Sequence, residues 1–217
     1  MAALTWDGIG EKKYDLGVSK GVLYKEVTEG TNKVWRGYAW NGLSNVTESP
    51  EGGESNDLYA DNILYASLRG TEKLSGTIEA FTYPPEFEPC IGGYELATGV
   101  NIHQQPRENF CFCYRTEIGE SNDPLVGYKI HIIYDCTANA SERSYDTIND
   151  NPDAEPLSFD FDSVPVTVTG HKPTSSIEID STKIAAAKLT LIENALYGTA
   201  SAEPYLPLPD DLLTLIS

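Results

Sequence analysis

Along Tyr128-Lys-Ile-His-Ile-Ile-Tyr-Asp-Cys-Thr137, apolar and polar residues alternate with a period of two, and this pattern limits the possible folds more than any other feature of the chain. Successive side chains of a strand point to opposite faces. Tyr128, Ile130, Ile132 and Tyr134 therefore share one face, with Lys129, His131 and Asp135 on the other. Leu157-Ser-Phe-Asp-Phe-Asp162 repeats the pattern: Leu157, Phe159 and Phe161 point into a core, while Ser158, Asp160 and Asp162 turn toward water or a polar cavity. The 13 Tyr, 3 Trp, 18 Gly and 13 Pro sit among short runs rich in Val, Ile, Thr and aromatics, the texture of an antiparallel β protein. Strands are predicted near residues 21–27, 33–40, 43–48, 63–68, 73–83, 95–102, 109–118, 128–137, 157–162, 166–169 and 175–179.

One helix is predicted, from Lys183 to Tyr197, opened by Asp180 or Ser181 and stopped by Gly198. Its stripe of Ala185, Leu189, Ile192 and Leu196 lies on one side, so it packs on a sheet and leaves Lys188 and Asn194 to solvent. Two stretches are too polar and too rich in Gly and Pro for a core, Ser49–Asp57 and Ile148–Pro156, and both read as long loops. The expected organisation is one β-rich domain over residues 1–200, with a long loop at about 49–62, and a C-terminal arm over 201–217 whose few leucines dock on something.

With 15 Lys and Arg against 33 Asp and Glu, the formal charge is -18, which argues against a surface built to grip nucleic acid by its phosphates. The N-terminus has no secretory pattern and no window approaches the roughly 20 apolar residues of a membrane span, so a soluble protein made in a cytoplasm is expected, without membrane insertion. In that compartment Cys90, Cys111, Cys113 and Cys136 are expected as buried free thiols. Cys111 and Cys113, two apart on a strand, share a face and suit a packed sheet better than zinc.

No chemical motif emerges. His103, His131 and His171 lie on separate segments without metal-ligand spacing, and no serine sits in a nucleophile elbow. Phosphate-binding glycine loops are absent. The acidic run from Asp146 to Asp153 lacks the central Gly and trailing Glu of a calcium-binding loop. Asp160 and Asp162, two apart on one strand face, are poorly placed to straddle a sugar as a glycosidase pair would. No enzyme activity, metal or cofactor is expected.

Several short stretches spread along the chain carry a resemblance. They are Gly17-Val-Ser-Lys-Gly-Val-Leu-Tyr24, Ala39-Trp-Asn-Gly-Leu43, Leu58-Tyr-Ala-Asp-Asn-Ile63, Thr77-Ile-Glu-Ala-Phe-Thr-Tyr-Pro-Pro-Glu-Phe87, Phe112-Cys-Tyr-Arg-Thr116 and Gly127-Tyr-Lys-Ile-His131. Tyr145-Asp-Thr-Ile-Asn-Asp150, Ser181-Thr-Lys183 and Leu206-Pro-Leu-Pro209 complete it. In these stretches and their order the chain resembles the major tail (tail tube) proteins of siphoviruses, phages with long non-contractile tails.

The resemblance implies a β-sandwich or partial barrel with a flanking helix near the C-terminus, a fold shared with type VI secretion tube proteins. It implies hexameric rings stacked into a hollow tube, joined to a tape-measure protein and to tail terminator or tip proteins. Joining sheets between subunits would remove exposed strand edges. Double-stranded DNA would pass through an acidic lumen without specific binding, because its phosphates meet no cations. Glu79, Asp160 and Asp162 are the acidic candidates for that lumen, and outer-surface solubilising charges are the other reading of them. The expected inter-subunit contacts are Leu58, Tyr59, Ala60, Asp61 and Asn62, with Leu58 and Tyr59 as anchors, and Leu206 and Leu208 in the arm. No catalytic residue is implied.

Two other readings compete. A carbohydrate- or receptor-binding β-sandwich module would use Trp35, Tyr38 and Trp40 as its stacking platform. Against it, Trp40 precedes Asn41-Gly42, where a tryptophan beside a hairpin turn packs the corner. A carboxylate hydrolase would need a facing pair of acids that the sequence does not nominate.

Overall fold

In the computed structural model of the protein, Gly8, residues 12–53, 55–70, 72–120, 125–139, 141, 144, 147 and 154–216 are described. The acidic run from Asp146 to Asp153 lies outside them except for Thr147, as does most of the loop predicted at 148–156. The strands are β1 (Lys13–Glu29), β2 (Asn32–Trp40), β3 (Leu43–Glu51), β4 (Ser55–Ala60), β5 (Ile63–Arg69), β6 (Lys73–Ala80), β7 (Tyr94–Ala97), β8 (Val100–Ile102), β9 (Phe110–Glu120), β10 (Gly127–Ala138), β11 (Leu157–Ser163) and β12 (Ser176–Asp180). A 3-10 turn spans Pro85–Ile91, and two helices follow the strands, α1 (Ala186–Tyr197) and α2 (Pro209–Leu215). The fold is mainly β and sandwich-like, without closing into a barrel.

The alternation along β10 decides the architecture. It holds through Tyr134 and then changes phase at a bulge, where Asp135 takes φ 43 and the pairing with β9 jumps from Ile133 to Cys136. Before the bulge, β10 pairs with β12 over Lys129–Ile133; beyond it, Cys136–Ala138 pairs with β11. One strand thus serves two layers. The main sheet runs β2-β1-β9-β10-β11-β6-β3, and its β11-β6-β3 limb folds over the β1-β9-β10 limb.

Between the limbs lies an aromatic core. Trp40 is its centre, with ring centroids 4.6 Å from Phe87, 5.4 Å from Phe112 and 5.9 Å from Phe159. The Trp40 indole N–H donates to the Thr82 carbonyl at 2.8 Å, which satisfies the one polar atom this ring buries. Asn41-Gly42 is not a hairpin: β2 pairs with β1 and β3 pairs with β6, so the chain changes limb there. Gly42 allows the corner at φ 77, and Trp40 packs beneath it.

The opposite face of β1, β9 and β10 carries a second core. Val22, Tyr24, Cys111, Cys113, Ile130 and Ile132 meet Leu189, Ile192 and Leu196 of α1. The central strand β9 is buried on both sides, which is why Phe110-Cys-Phe-Cys-Tyr114 reads as an uninterrupted apolar run. Tyr24 donates its hydroxyl to the Leu196 carbonyl at 2.7 Å, pairing an acceptor in the last turn of α1 that has no partner within the helix.

The helix begins at Ala186, later than predicted, without a side-chain cap. The Asp180 carboxylate is occupied by the backbone N–H and hydroxyl of Thr182, at 2.9 and 2.6 Å, and so closes the turn before the helix. Of the predicted stripe, Leu189, Ile192 and Leu196 are buried and Ala185 is exposed, while Lys188 and Asn194 face solvent. The second helix was not predicted. Pro at its start and Asp210 and Asp211 in its first turn favour its N-terminal end.

Further differences concern the strands. The stretch Ser49–Asp57 is not a loop throughout, since β3 runs to Glu51 and β4 begins at Ser55. The strand predicted at 95–102 is the small hairpin β7-β8, and that at 166–169 is a single bridge between Val166 and Thr174.

Candidate assembly surfaces

The β3-β6 ladder continues into a ribbon outside the main sheet. Its last pair is Glu51 with Lys73, and after a break β4 pairs with β5 from Ser55 opposite Arg69 to Ala60 opposite Ile63. The break needs glycine: a Cβ on Gly53 would lie 2.5 Å from the backbone of Gly70. The ribbon turns at Asp61 and Asn62, both at positive φ (51 and 60), the pattern of a type I′ hairpin turn. Leu58, Tyr59, Ile63, Leu64, Tyr65 and Leu68 are all exposed, Tyr59 by 72% and Tyr65 by 74%. Leu58–Asn62, predicted as contact residues, therefore form the outer half of an apolar ribbon that the described residues of its own subunit do not cover.

The C-terminal arm behaves differently. The Gly37 N–H donates to the Pro204 carbonyl at 3.1 Å and the Leu206 N–H to the Trp35 carbonyl at 3.0 Å, so the arm lies along the outer edge of β2. Leu206 and Leu212 are buried in the helix-side core, whereas Leu208 is 44% exposed. Of the two arm residues predicted to touch a neighbour, Leu206 is a core residue of its own subunit and Leu208 stays at the surface.

A third surface is the outward face of the folded-over limb. Ser158 pairs with Glu79, Asp160 with Thr77 and Asp162 with Ser75; β3 adds Asn45, Thr47 and Ser49 in register. Paired residues share a face, so Glu79, Asp160 and Asp162 stand together on a surface made of acids, hydroxyls and an amide. Asp160 accepts from the Thr77 hydroxyl at 2.6 Å and Asp162 from the Asn139 amide at 2.8 Å. Among the described residues, none of these three acids is held in an ion pair.

The competing sites do not assemble. Tyr38 and Trp40 belong with the aromatic core and Trp35 with the helix-side core, so the three proposed platform rings do not share a face. The four cysteines are unpaired and buried. Burial pushes the Cys90 thiol up to about 12 and raises the other three as well, so none is a ready thiolate. His131 stacks on Tyr114 (4.6 Å between centroids), and the Tyr114 hydroxyl donates to Glu48 of β3 at 2.7 Å, tying the two limbs together. Burial lowers the pKa of this histidine. Among the described residues no His, Cys, Asp and Glu side chains group as a metal site, and no helix is long and apolar enough to cross a membrane.

No protein-family model matches the chain, and no curated protein matches it either.

Proposed function

We propose that this protein is a self-assembling structural subunit of a phage tail tube, part of the virion and not an enzyme, made in the bacterial host cytoplasm. The observation that carries this reading is the coexistence of an uncovered apolar ribbon, β4-β5, with a wholly polar sheet face bearing Glu79, Asp160 and Asp162. The ribbon is a contact surface for neighbouring copies, since an apolar patch of this kind on a soluble protein marks an interaction site. The polar face is the lumen wall, where carboxylates and hydroxyls offer DNA phosphates no cation to hold them. Stacked rings, six subunits each by the resemblance, would then end on tape-measure, terminator and tip proteins. No described feature favours the sugar-binding reading.

Negative-stain electron microscopy of the concentrated protein, with size-exclusion chromatography alongside, tests the proposal. Rings or hollow tubes of uniform width are expected. A protein that stays monomeric at every concentration and salt level counts against it.

A further inference from the structure

The ribbon needs an acceptor, and the same chain carries a groove that fits it. The groove, about 520 Å³, lies where β1 passes the end of β2 and the last turn of α1, and is walled by Val18, Val22, Ala39, Leu43, Tyr197 and Pro204. That volume falls in the range, about 300–1,000 Å³, of sites that enclose a small molecule. It can take side chains from one edge of a ribbon. We propose that the β4-β5 ribbon of one copy seats in this groove of the next copy; the inference rests on the tube reading only in requiring that the chain self-associate.

Charge selects the occupant. Lys20 is the only charged residue lining the groove among the described residues, its ammonium 5.3 Å from the centroid of the Tyr197 ring. In a chain of net charge -18, a groove to which the described residues bring one lysine and no carboxylate is an unusual place. From Ser55 to Arg69 the ribbon carries Asp57 and Asp61 against a single cation, Arg69, at the end where it joins the sheet. An apolar, anionic ribbon complements an apolar groove with a cationic rim. Donor and acceptor are different patches of one subunit, so the contact need not be self-complementary. It can repeat head to tail, the geometry that generates rings and tubes.

Photocrosslinking of the assembled full-length protein tests this, with p-benzoylphenylalanine replacing Tyr65, which is 74% exposed. Crosslinks between copies are expected in residues 18–22, 39–43 and 196–204; crosslinks confined to other segments overturn the inference. A second variant, Ala39→Arg, places a charge in the groove at an exposed strand position. It should fold normally by circular dichroism yet weaken association by about tenfold or more. Mixed with Tyr59→Ser/Leu64→Ser, it should form one-to-one heterodimers, because each variant keeps one half of the contact. An Ala39→Arg protein that assembles like the parent sinks the groove assignment and leaves the tube reading standing. A parent protein that never associates removes both.

Discussion

The β4-β5 ribbon and the C-terminal arm start as similar sequences and end in opposite environments. Each mixes leucines and at least one tyrosine with polar residues, and each was expected to reach for a neighbour. The arm leaves α1 at Gly198 beside the free edge of β2, so Pro204–Leu206 finds backbone partners within its own subunit. Leu206 and Leu212 then cover a core that α1 alone leaves open. The ribbon leaves the sheet through the Gly53–Gly70 break, and among the described residues of its subunit its leucines and tyrosines stay exposed. Apolar composition gives a segment a reason to dock; the direction in which the chain leaves the sheet decides whether it docks at home.

If that contrast is right, the arm carries stability and the ribbon carries association. The largest effect is expected from truncation after Ala202, which strips the edge of β2 and uncovers Tyr134, whose hydroxyl donates to the Pro207 carbonyl at 3.2 Å. Losing two buried leucines with that cover should cost about 5 kcal/mol or more, a large share of the stability of a single domain. Urea denaturation measures it, and a truncated protein as stable as the parent would show that the arm is not docked. Next in size is Leu206→Ala, expected to cost about 2–4 kcal/mol as a buried deletion, against about 0.5 kcal/mol for Leu208→Ala at the surface. Equal losses at the two positions would break the distinction within the arm.

Much of the core was legible in the sequence, because period-two alternation reports a strand with one buried face. It reported β10 as far as Tyr134, the inward Phe159 and Phe161, and the shared face of Cys111 and Cys113. It could not report β4, whose residues are exposed throughout and so show no alternation. The bulge at Asp135 was hidden because a change of phase looks like any other pair of neighbouring buried residues. Trp40 was placed correctly at a corner, yet Asn41-Gly42 carries no mark of whether the chain returns along the same sheet. Glu79, Asp160 and Asp162 could be assigned to outward positions one strand at a time; that they stand on one face depends on the β6-β11 register, which joins segments about eighty positions apart. Leu206 was missed as a core residue because much of the cluster it joins lies on β1, β9 and β10, far away in sequence.

A smaller effect belongs to the junction that aims α1, and with it the arm, at the sheet. Burial pushes the Asp180 carboxyl up, but hydrogen bonds from the Thr182 hydroxyl and N–H, together with the Lys183 ammonium, outweigh it and hold the group at about 2, below the ordinary 3.8. A carboxyl depressed in the folded state adds stability above its unfolded pKa, and that contribution fades as pH falls toward the folded value. The window therefore lies between about pH 4 and pH 2, and the contribution is at most about 1 kcal/mol once solvent screening is allowed for. The stability difference between the parent and Asp180→Asn should shrink across this window. A difference that stays constant from pH 5 to pH 2 would mean the carboxylate charge plays no part in the turn.

The smallest effect on folding is expected in the ribbon. Tyr59 and Leu64 face each other across β4 and β5, with 72% and 53% of their surfaces open to water. Replacing both with serine removes little that is buried within the subunit, so the urea midpoint should move by no more than about 0.5 kcal/mol in stability. Sedimentation of the same variant should show association falling by about tenfold or more, as when anchors at an interface are truncated. The two measurements separate the roles more sharply than either alone. A double variant that is strongly destabilised as a monomer would place the ribbon against its own subunit and make it a second docked arm. A variant that is stable and associates normally would strip the ribbon of its role and leave the polar face as the remaining support for the tube.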